Sequence, residues 1–149
     1  MNSTAQSTAT APPPKKWQFW TGIFLSALPV LMMLFSASLK LIQPPQVVDQ
    51  FSGRFGYPAS LLLPLGILEI FCVLLYAIPR TAVLGAILMT GYLGGAIATH
   101  VRILDSGFAT GLVLGIFAWA GLFFRDPRLH ALLPLRKLQP AAQSRATAP

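Results

Sequence analysis

Residues 61–79 read LLLPLGILEIFCVLLYAIP, and Glu69 is the single charged side chain among them. An α-helix needs roughly 20 apolar residues to cross a hydrocarbon core about 30 Å thick. Extended back to Phe55, this stretch is long enough for one crossing. Residues 17–39, 81–99 and 106–124 meet or approach the same length and contain no charged residue. The sequence therefore predicts four membrane-spanning helices.

The composition also indicates a protein whose main solvent is lipid. Of its 149 residues, 54% are hydrophobic and 10% are charged, and the mean hydropathy is +0.64. In soluble proteins about a quarter of the residues are charged. A soluble helical bundle is the alternative, but four successive uncharged stretches leave too little polar surface to coat it. We predict an all-α, integral membrane four-helix bundle with up-down-up-down topology.

One membrane domain between two tails is the predicted domain organisation. We expect residues 1–16 to be a disordered N-terminal tail, residues 17–126 the four-helix domain, and residues 127–149 a C-terminal tail. The predicted spans are 17–40, 58–78, 81–102 and 107–125. A signal peptide cleaved near residues 36–38 is the alternative for the first span, although its apolar run exceeds the roughly 7–15 residues usual in signals.

Between the first two predicted spans lies a short amphipathic segment. Pro44 and Pro45 end the first span, after which apolar and polar side chains alternate near helical spacing. The apolar positions are Val47, Val48, Phe51 and Phe55, and the polar ones are Asp49, Gln50 and Arg54. We predict a short amphipathic helix that lies in the membrane interface.

The net charge of +7 is concentrated beside the spans, on one side of the membrane. The side of the two termini carries Lys15, Lys16, Arg80, Arg125, Arg128, Arg136, Lys137 and Arg145, whereas the other side carries Lys40, Arg54 and Arg102. By the positive-inside rule, both termini are predicted to lie in the cytoplasm. The predicted partner is the lipid bilayer and not nucleic acid, because no aromatic residues are interleaved with the basic ones.

Glu69 is an ionisable residue near the centre of the second predicted span. A charge at that depth costs several kcal/mol, so we expect the carboxyl group to be protonated, paired or exposed to a polar cleft. At about 1.5 Å of rise per residue, Thr90 and Tyr92 lie level with Glu69 on the third span. One or the other of them is the predicted near hydrogen-bond partner, and Glu69 is the residue we expect to be functional.

Three basic residues nearer the outer surface form the predicted mouth of this cleft: Lys40, His100 and Arg102. Helical side chains lean toward the N-terminus of their own helix, which brings Lys40 and Arg102 inward. His100 and Arg102 point to nearly opposite sides of one helix, so both cannot face the cleft. Arg102 has the alternatives of pairing with Asp105 or reaching lipid headgroups. Lys40 and His100 have the alternative of an ordinary interfacial position.

No catalytic residue, metal site or cofactor site is identifiable in the sequence. GxSxG, phosphate-loop and CxxC motifs are absent, and the lone Cys72 can form neither an internal disulfide nor a multi-thiolate site. His100 and His130 fall on opposite sides of the membrane and cannot share a metal ion. Whether the chain is an enzyme stays open, and no independent catalytic activity is predicted.

Small residues four positions apart mark one face on each of the last two spans. On the fourth span they are Gly107, Gly111 and Gly115, and on the third they are Gly91, Gly95 and Thr99, with Gly94 and Ala98 beside them. Such faces let helix backbones approach closely in lipid, where apolar burial does not drive association. We predict that they pack inside the bundle, with a homodimer through the fourth span as the alternative.

Several motifs, in order along the chain, resemble the DoxX-like family of membrane proteins. They are Lys40-Leu41, residues 55–58 (FGYP), residues 65–69 (LGILE) and residues 91–102 (GYLGGAIATHVR), and the resemblance extends over about residues 19–134. It implies a four-helix protein of the bacterial inner membrane. The relatives that give the family its name are subunits of thiosulfate:quinone oxidoreductase, and others belong to membrane oxidoreductase complexes. A quinone and an oxidoreductase partner are therefore implied by the resemblance alone.

Three functions follow as hypotheses. The favoured one is a small membrane subunit or accessory of a redox system that binds a quinone or a small anion in the cleft around Glu69. The next is a structural or assembly protein in which Glu69 ties helices together. The last is a small transporter that operates as an oligomer, because four helices alone barely enclose a pathway.

Overall fold

The computed structural model describes residues 16–126 and Leu129. The predicted tails lie outside the described residues except for Lys16, which begins the first helix, and Leu129. Within the described part the regular elements are all helical. The helices are α1 (Lys16–Ile42), α2 (Pro45–Asp49), α3 (Leu62–Ala77), α4 (Ala82–Arg102) and α5 (Phe108–Arg125), with a π-helical turn at Gln50–Arg54 and a 3-10 turn at Ala59–Leu61.

Four of these elements are long and apolar enough to cross a membrane: α1, α3 together with the turn that precedes it, α4 and α5. This confirms the predicted fold class of an all-helical membrane bundle. The short α3–α4 and α4–α5 turns make these successive spans antiparallel. Each span packs against two others, because α1 contacts α3 and α5 while α4 contacts the same two helices from the opposite side.

The ends of the helices follow from local backbone chemistry. Gln43 has a φ of 52°, which breaks α1, and the chain then passes through Pro44 into α2, with Pro45 at its first position. Leu104, with a φ of 54°, reverses the chain between α4 and α5. In the turn between α3 and α4, the Thr81 hydroxyl donates to the Leu75 carbonyl at 2.8 Å. These turns fix the two ends of the bundle.

We call these two ends the base and the mouth. The base contains the start of α1, the α3–α4 turn and the end of α5, and the mouth contains α2, the π-helical turn and the α4–α5 turn. Helices approach most closely near the base. A Cβ atom added to Gly85 would lie 2.2 Å from the Tyr76 nitrogen, and one added to Gly121 would lie 2.7 Å from the Ser26 nitrogen. These positions accept no side chain without backbone movement.

At the mouth, residues 45–55 form what we call the lid segment. Its predicted amphipathic pattern is present, since Val47, Phe51 and Phe55 are half-buried whereas Asp49 and Arg54 are exposed. The regular part consists of five residues of α2 and the five-residue π-helical turn. The segment therefore covers the mouth with its apolar face.

Candidate functional site

Glu69 lies on α3 with only 2% of its surface exposed. Three side chains from two other helices meet its Oε2 atom. The Lys40 Nζ donates at 2.9 Å, the Tyr92 hydroxyl donates at 2.9 Å, and the Ser36 hydroxyl donates at 3.3 Å. A carboxylate removed from water needs such compensation, and hydrogen bonds to a charged acceptor are the strong ones. The site is therefore an ion pair with supporting hydroxyl groups.

Lys40 reaches this site from α1, whereas depth along a straight helix predicts a position nearer the outer surface. The lean of helical side chains toward the N-terminus accounts for the difference. Ser36 lies one turn earlier on α1, and the Lys40 ammonium also donates to its hydroxyl. Lys40 thus pairs with Glu69, and the interfacial alternative for its side chain is wrong. Ser36 is a site residue that the sequence prediction missed, although its i−4 spacing from Lys40 was a usable signal.

The structure brings Tyr92 to Glu69, as the equal depth of the two residues predicts. Thr90 is placed elsewhere. Its hydroxyl donates to the Ala86 carbonyl at 2.8 Å and accepts from the Trp119 ring nitrogen at 2.8 Å. Of the two predicted alternatives, Tyr92 is therefore the partner of Glu69 and Thr90 is not, because two residues along a helix differ by about 200° in direction. Thr90 therefore faces the junction of α4 with α5.

A cavity of about 690 Å³ opens beside the ion pair and occupies the mouth half of the bundle. All four spans and the lid segment contribute to its lining, which is mainly Met, Leu, Phe and Ile side chains. Lys40, Glu69 and Tyr92 line one part of it. Tyr57 and Thr99, whose hydroxyl groups lie 3.2 Å apart, line another. The cavity is therefore apolar with a few localised polar groups.

His100 and Arg102 do not join the Glu69 site. His100 lines the cavity near the mouth, and its Nδ1 lies 2.7 Å from Oδ2 of Asp105. Arg102 donates to the Phe55 carbonyl, and its guanidinium lies 5.3 Å from the centre of the Tyr57 ring. The alternative pairing of Arg102 with Asp105 is wrong, because Asp105 pairs instead with His100. Of the two residues, His100 lines the cavity and Arg102 does not, although both contact Phe55.

Contacts from α4 and the α4–α5 turn hold the lid segment over the cavity. Arg54 lies 3.2 Å from Oδ1 of Asp105, and the Phe55 ring stands edge-on to the His100 ring at 5.1 Å. Together with the Arg102–Phe55 hydrogen bond, we call these contacts the latch. The His100 hydrogen bond, aided by the Arg54 charge, lowers the pKa of Asp105 below its ordinary value. The latch therefore favours the ionised carboxylate.

The predicted glycine faces divide into two groups. Gly107 and Gly111 lie against neighbours, since an added Cβ would approach the His100 ring to 2.4 Å and Ile97 to 2.8 Å. Gly115 has ordinary contact with Leu93 at 4.0 Å. Gly91, Gly94 and Gly95 have no atom within 4 Å of an added Cβ, so the prediction that they pack inside the bundle is wrong. The glycines that do join helices most tightly, Gly22, Gly85 and Gly121, were missed because their spacing forms no repeat on one helix.

Metal-ligand geometry is not present in the part of the chain that the structure describes, where no three His, Cys, Asp or Glu side chains could hold an ion. Cys72 is buried. The arrangement at Glu69 supplies an ammonium donor, a phenol and a carboxylate beside an apolar cavity. These groups can bind and orient a polar head group and can exchange protons with it.

Comparison with known proteins gives one match. The model of the DoxX-like family matches residues 24–121, which include the four spans' cavity-lining parts and the ion pair. No curated protein and no solved structure matches the chain.

Proposed function

The chain belongs to the DoxX-like family of membrane proteins, and from this premise we propose that it is the ligand-binding membrane subunit of a redox system. The ligand would be a lipid-soluble molecule with a polar head, of the quinone class. The observation that carries the proposal is the 690 Å³ cavity with the Lys40–Glu69 pair in its lining. The remaining support comes from the size of the cavity and the chemistry of its polar groups.

The cavity's volume and lining suit a small organic molecule. Ligand sites of this kind usually measure about 300–1,000 Å³ and combine apolar walls with a few placed polar groups. An isoprenoid or alkyl tail fits walls of Met, Leu and Phe side chains. A small inorganic anion would leave most of this volume unfilled. The lining therefore favours a ligand with a tail over a simple anion.

The polar groups suit a head group that both accepts and donates hydrogen bonds. Lys40 and Tyr92 carry donors, and a quinone carbonyl is an acceptor. In the described residues the hydrogen bonds of Glu69 converge on Oε2, so Oε1 keeps its capacity to accept from a quinol hydroxyl. Both redox states of such a ligand thus have partners at one site. Electron transfer itself would be supplied by an oxidoreductase partner.

Basic residues support an orientation for this subunit. Among the described residues the base carries Lys16, Arg80 and Arg125. The mouth carries Arg54 and Arg102, in addition to Lys40, which is paired with Glu69. With the basic residues of the two tails added, the positive-inside rule favours a base on the cytoplasmic side of a bacterial inner membrane. The cavity would then lie in the outer half of the bilayer.

Binding of a defined quinone tests the proposal. The full chain in nanodiscs would be equilibrated with tritiated decylubiquinone, with empty nanodiscs subtracted as the partition background. We expect saturable binding that Glu69→Gln and Tyr92→Phe each weaken about tenfold, equal to about 1.4 kcal/mol. Tyr76→Phe is the matched control, because Tyr76 is buried at the base and does not line the cavity. Absence of saturable binding, or equal loss in the control, would count against the proposal.

A structural role is the second candidate, because the ion pair also ties α1 to α3 and Tyr92 adds α4. In that case the same variants would lower stability without changing ligand binding. Measuring both quantities on each variant separates the two functions. Tyr92→Phe is the informative variant, since it removes one hydroxyl and leaves the ion pair intact.

A further inference from the structure

The cavity has a cover at its mouth. The lid segment lies across it, and Val47, Phe51 and Phe55 contribute to the lining from that side. The latch fixes this cover through the Arg54–Asp105 ion pair and the Arg102–Phe55 hydrogen bond. A ligand arriving from water at the mouth would have to displace these contacts. The remaining boundaries of the cavity are the gaps between neighbouring spans.

The gap between α3 and α4 is bordered by residues that are both exposed and part of the lining. On α4 these are Gly91 and Gly95, one turn apart on the same side of the helix. On the opposite side they are Leu61, which ends the 3-10 turn before α3, and Leu68 of α3, at 40% and 44% exposure. A Cβ added at either glycine meets no atom within 4 Å. Space is therefore open where these two helices border the cavity.

Packing at the base explains why this gap exists. Near their shared turn, α3 and α4 touch so closely that a Cβ at Gly85 would lie 2.2 Å from the Tyr76 nitrogen. Further toward the mouth their link at the level of the site is the long Tyr92 side chain, which reaches Glu69 at 2.9 Å. The two helices thus diverge toward the mouth. Their backbones are in contact at the base, whereas at the level of Glu69 they are joined through the Tyr92 side chain.

The gap between α1 and α5 also has exposed lining residues, Met32, Phe35 and Thr110. However, this gap is bordered by large side chains, whereas the gap between α3 and α4 is bordered by the glycines of α4. Phe35 and Met32 add bulk to that side of the cavity, so it is the narrower of the two routes on side-chain volume.

We infer that the ligand enters sideways from the lipid, between α3 and α4, over a sill formed by Gly91 and Gly95. This inference rests on the proposed function and deepens it, because it assigns the ligand to the class of molecules dissolved in the bilayer. The missing side chains at the two glycines keep the passage open. The latched mouth excludes water from the ion pair while the ligand exchanges with lipid.

Substitutions that fill the sill test the route. Gly91→Leu and Gly95→Leu place side chains in open space, so folding is retained, and size-exclusion and thermal profiles would verify it. The matched control is Gly94→Leu on the same helix, which also has no atom within 4 Å but lines the groove between α4 and α5. Association and release of tritiated decylubiquinone would be followed by scintillation proximity on immobilised nanodiscs, with release started by unlabelled decylubiquinone.

We expect each sill variant to slow both association and release by about tenfold, because a barrier on the path changes both rates alike, whereas lost binding contacts would speed release. Gly94→Leu should leave both rates unchanged. Arg54→Ala, which opens the latch outside the cavity lining, should leave them within about twofold.

Three results would overturn the lateral route: unchanged rates in both sill variants, equal slowing in Gly94→Leu, or faster exchange in Arg54→Ala. In each case the wild-type chain still binds decylubiquinone, so the proposed function survives. If the wild-type chain shows no saturable binding, the proposed function fails and the route fails with it.

Discussion

The base and the mouth of the bundle are built from the same four helices but are held together differently. At the base, helix backbones meet at Gly22, Gly85 and Gly121, with little room for side chains between them. At the mouth, the helices stand apart around a cavity of about 690 Å³ and are joined by polar side chains. The comparison indicates that close packing of the helices at the base permits an open cavity at the mouth.

Lipid as a solvent explains why both kinds of contact are needed. Apolar side chains gain little by leaving hydrocarbon for a protein interior, so helix association depends on close packing and on polar bonds. The base uses the first device, supplemented by the Tyr76 hydroxyl, which donates to the Ala118 carbonyl at 2.7 Å. The mouth uses the second, through Lys40 and Glu69. Substitutions at the base and substitutions at the mouth should therefore differ in their measured effects.

Loss of the Glu69 carboxylate should have the largest effect on stability. Glu69→Leu leaves the Lys40 ammonium without its partner, and breaking a buried pair in this way costs about 3–5 kcal/mol. We expect the lower part of that range, because Lys40 is 18% exposed and can lean toward the mouth. Unfolding in mixed detergent micelles would measure it.

The companion variant for this prediction removes both charges. Lys40→Met combined with Glu69→Leu should recover most of the lost stability, because no charge is then left buried without a partner. A double variant as unstable as Glu69→Leu alone would show that the pair is not what joins the helices at the mouth.

Closing the space at Gly85 should come next. Gly85→Ala puts a methyl group 2.2 Å from the Tyr76 nitrogen, so α3 and α4 must move apart at a cost of about 2–3 kcal/mol. Gly91→Ala is the matched control on the same helix, where the methyl group meets nothing within 4 Å. We expect unchanged or slightly higher stability there, since alanine favours the helix over glycine. Equal losses of stability in Gly85→Ala and Gly91→Ala would contradict the proposed difference in packing between the base and the mouth.

Two tyrosines allow a finer comparison of the same ends. Tyr76→Phe removes a hydroxyl that bonds Ser26 at 2.9 Å and the Ala118 carbonyl at 2.7 Å, which should cost about 1–2 kcal/mol of stability. Tyr92→Phe should cost about 1 kcal/mol and also weaken decylubiquinone binding. Unfolding measurements should therefore show a loss of stability in both variants, whereas binding measurements should show a loss in Tyr92→Phe alone. Reversal of the pattern, with binding lost only in Tyr76→Phe, would contradict the placement of the site.

Much of the fold could be predicted from the sequence, because bilayer thickness sets the length of a span and uncharged runs of that length are unmistakable. Glu69 was also accessible to prediction, since an ionisable group in such a run needs a partner. Its pairing with Lys40 was harder to predict. Depth along a straight helix placed Lys40 too far out, and the length and lean of its side chain closed the distance.

The contacts between helices were harder to predict than the residues that form each span. The repeat of Gly91 and Gly95 indicated a close helix contact, yet the structure leaves open space beside both residues. A repeat on one helix does not say which direction that face takes in the bundle. The actual contact glycines, such as Gly22 and Gly121, meet across two helices far apart in sequence. Such a pairing has no periodic signal in a single chain.

The smallest predicted effect concerns the latch at the mouth. The pKa of Asp105 is lowered, first by its hydrogen bond with His100 and then by the Arg54 charge. A depressed carboxyl pKa contributes stability above its ordinary value of 3.8 and loses it as pH falls through the folded value. Hydrogen exchange of residues 45–55, corrected for intrinsic rates, should therefore stay constant from pH 7 to about pH 4 and accelerate only below.

Asp105→Asn should remove this pH dependence and give faster exchange in the lid segment throughout, because the amide keeps one hydrogen bond but loses the ion pair with Arg54. Asp49→Asn changes the same charge at an exposed position of the lid segment and serves as the control. A wild-type transition above about pH 5 would contradict the assignment of this pH dependence to Asp105. The base, which has none of these contacts, should exchange at the same corrected rate in all three proteins.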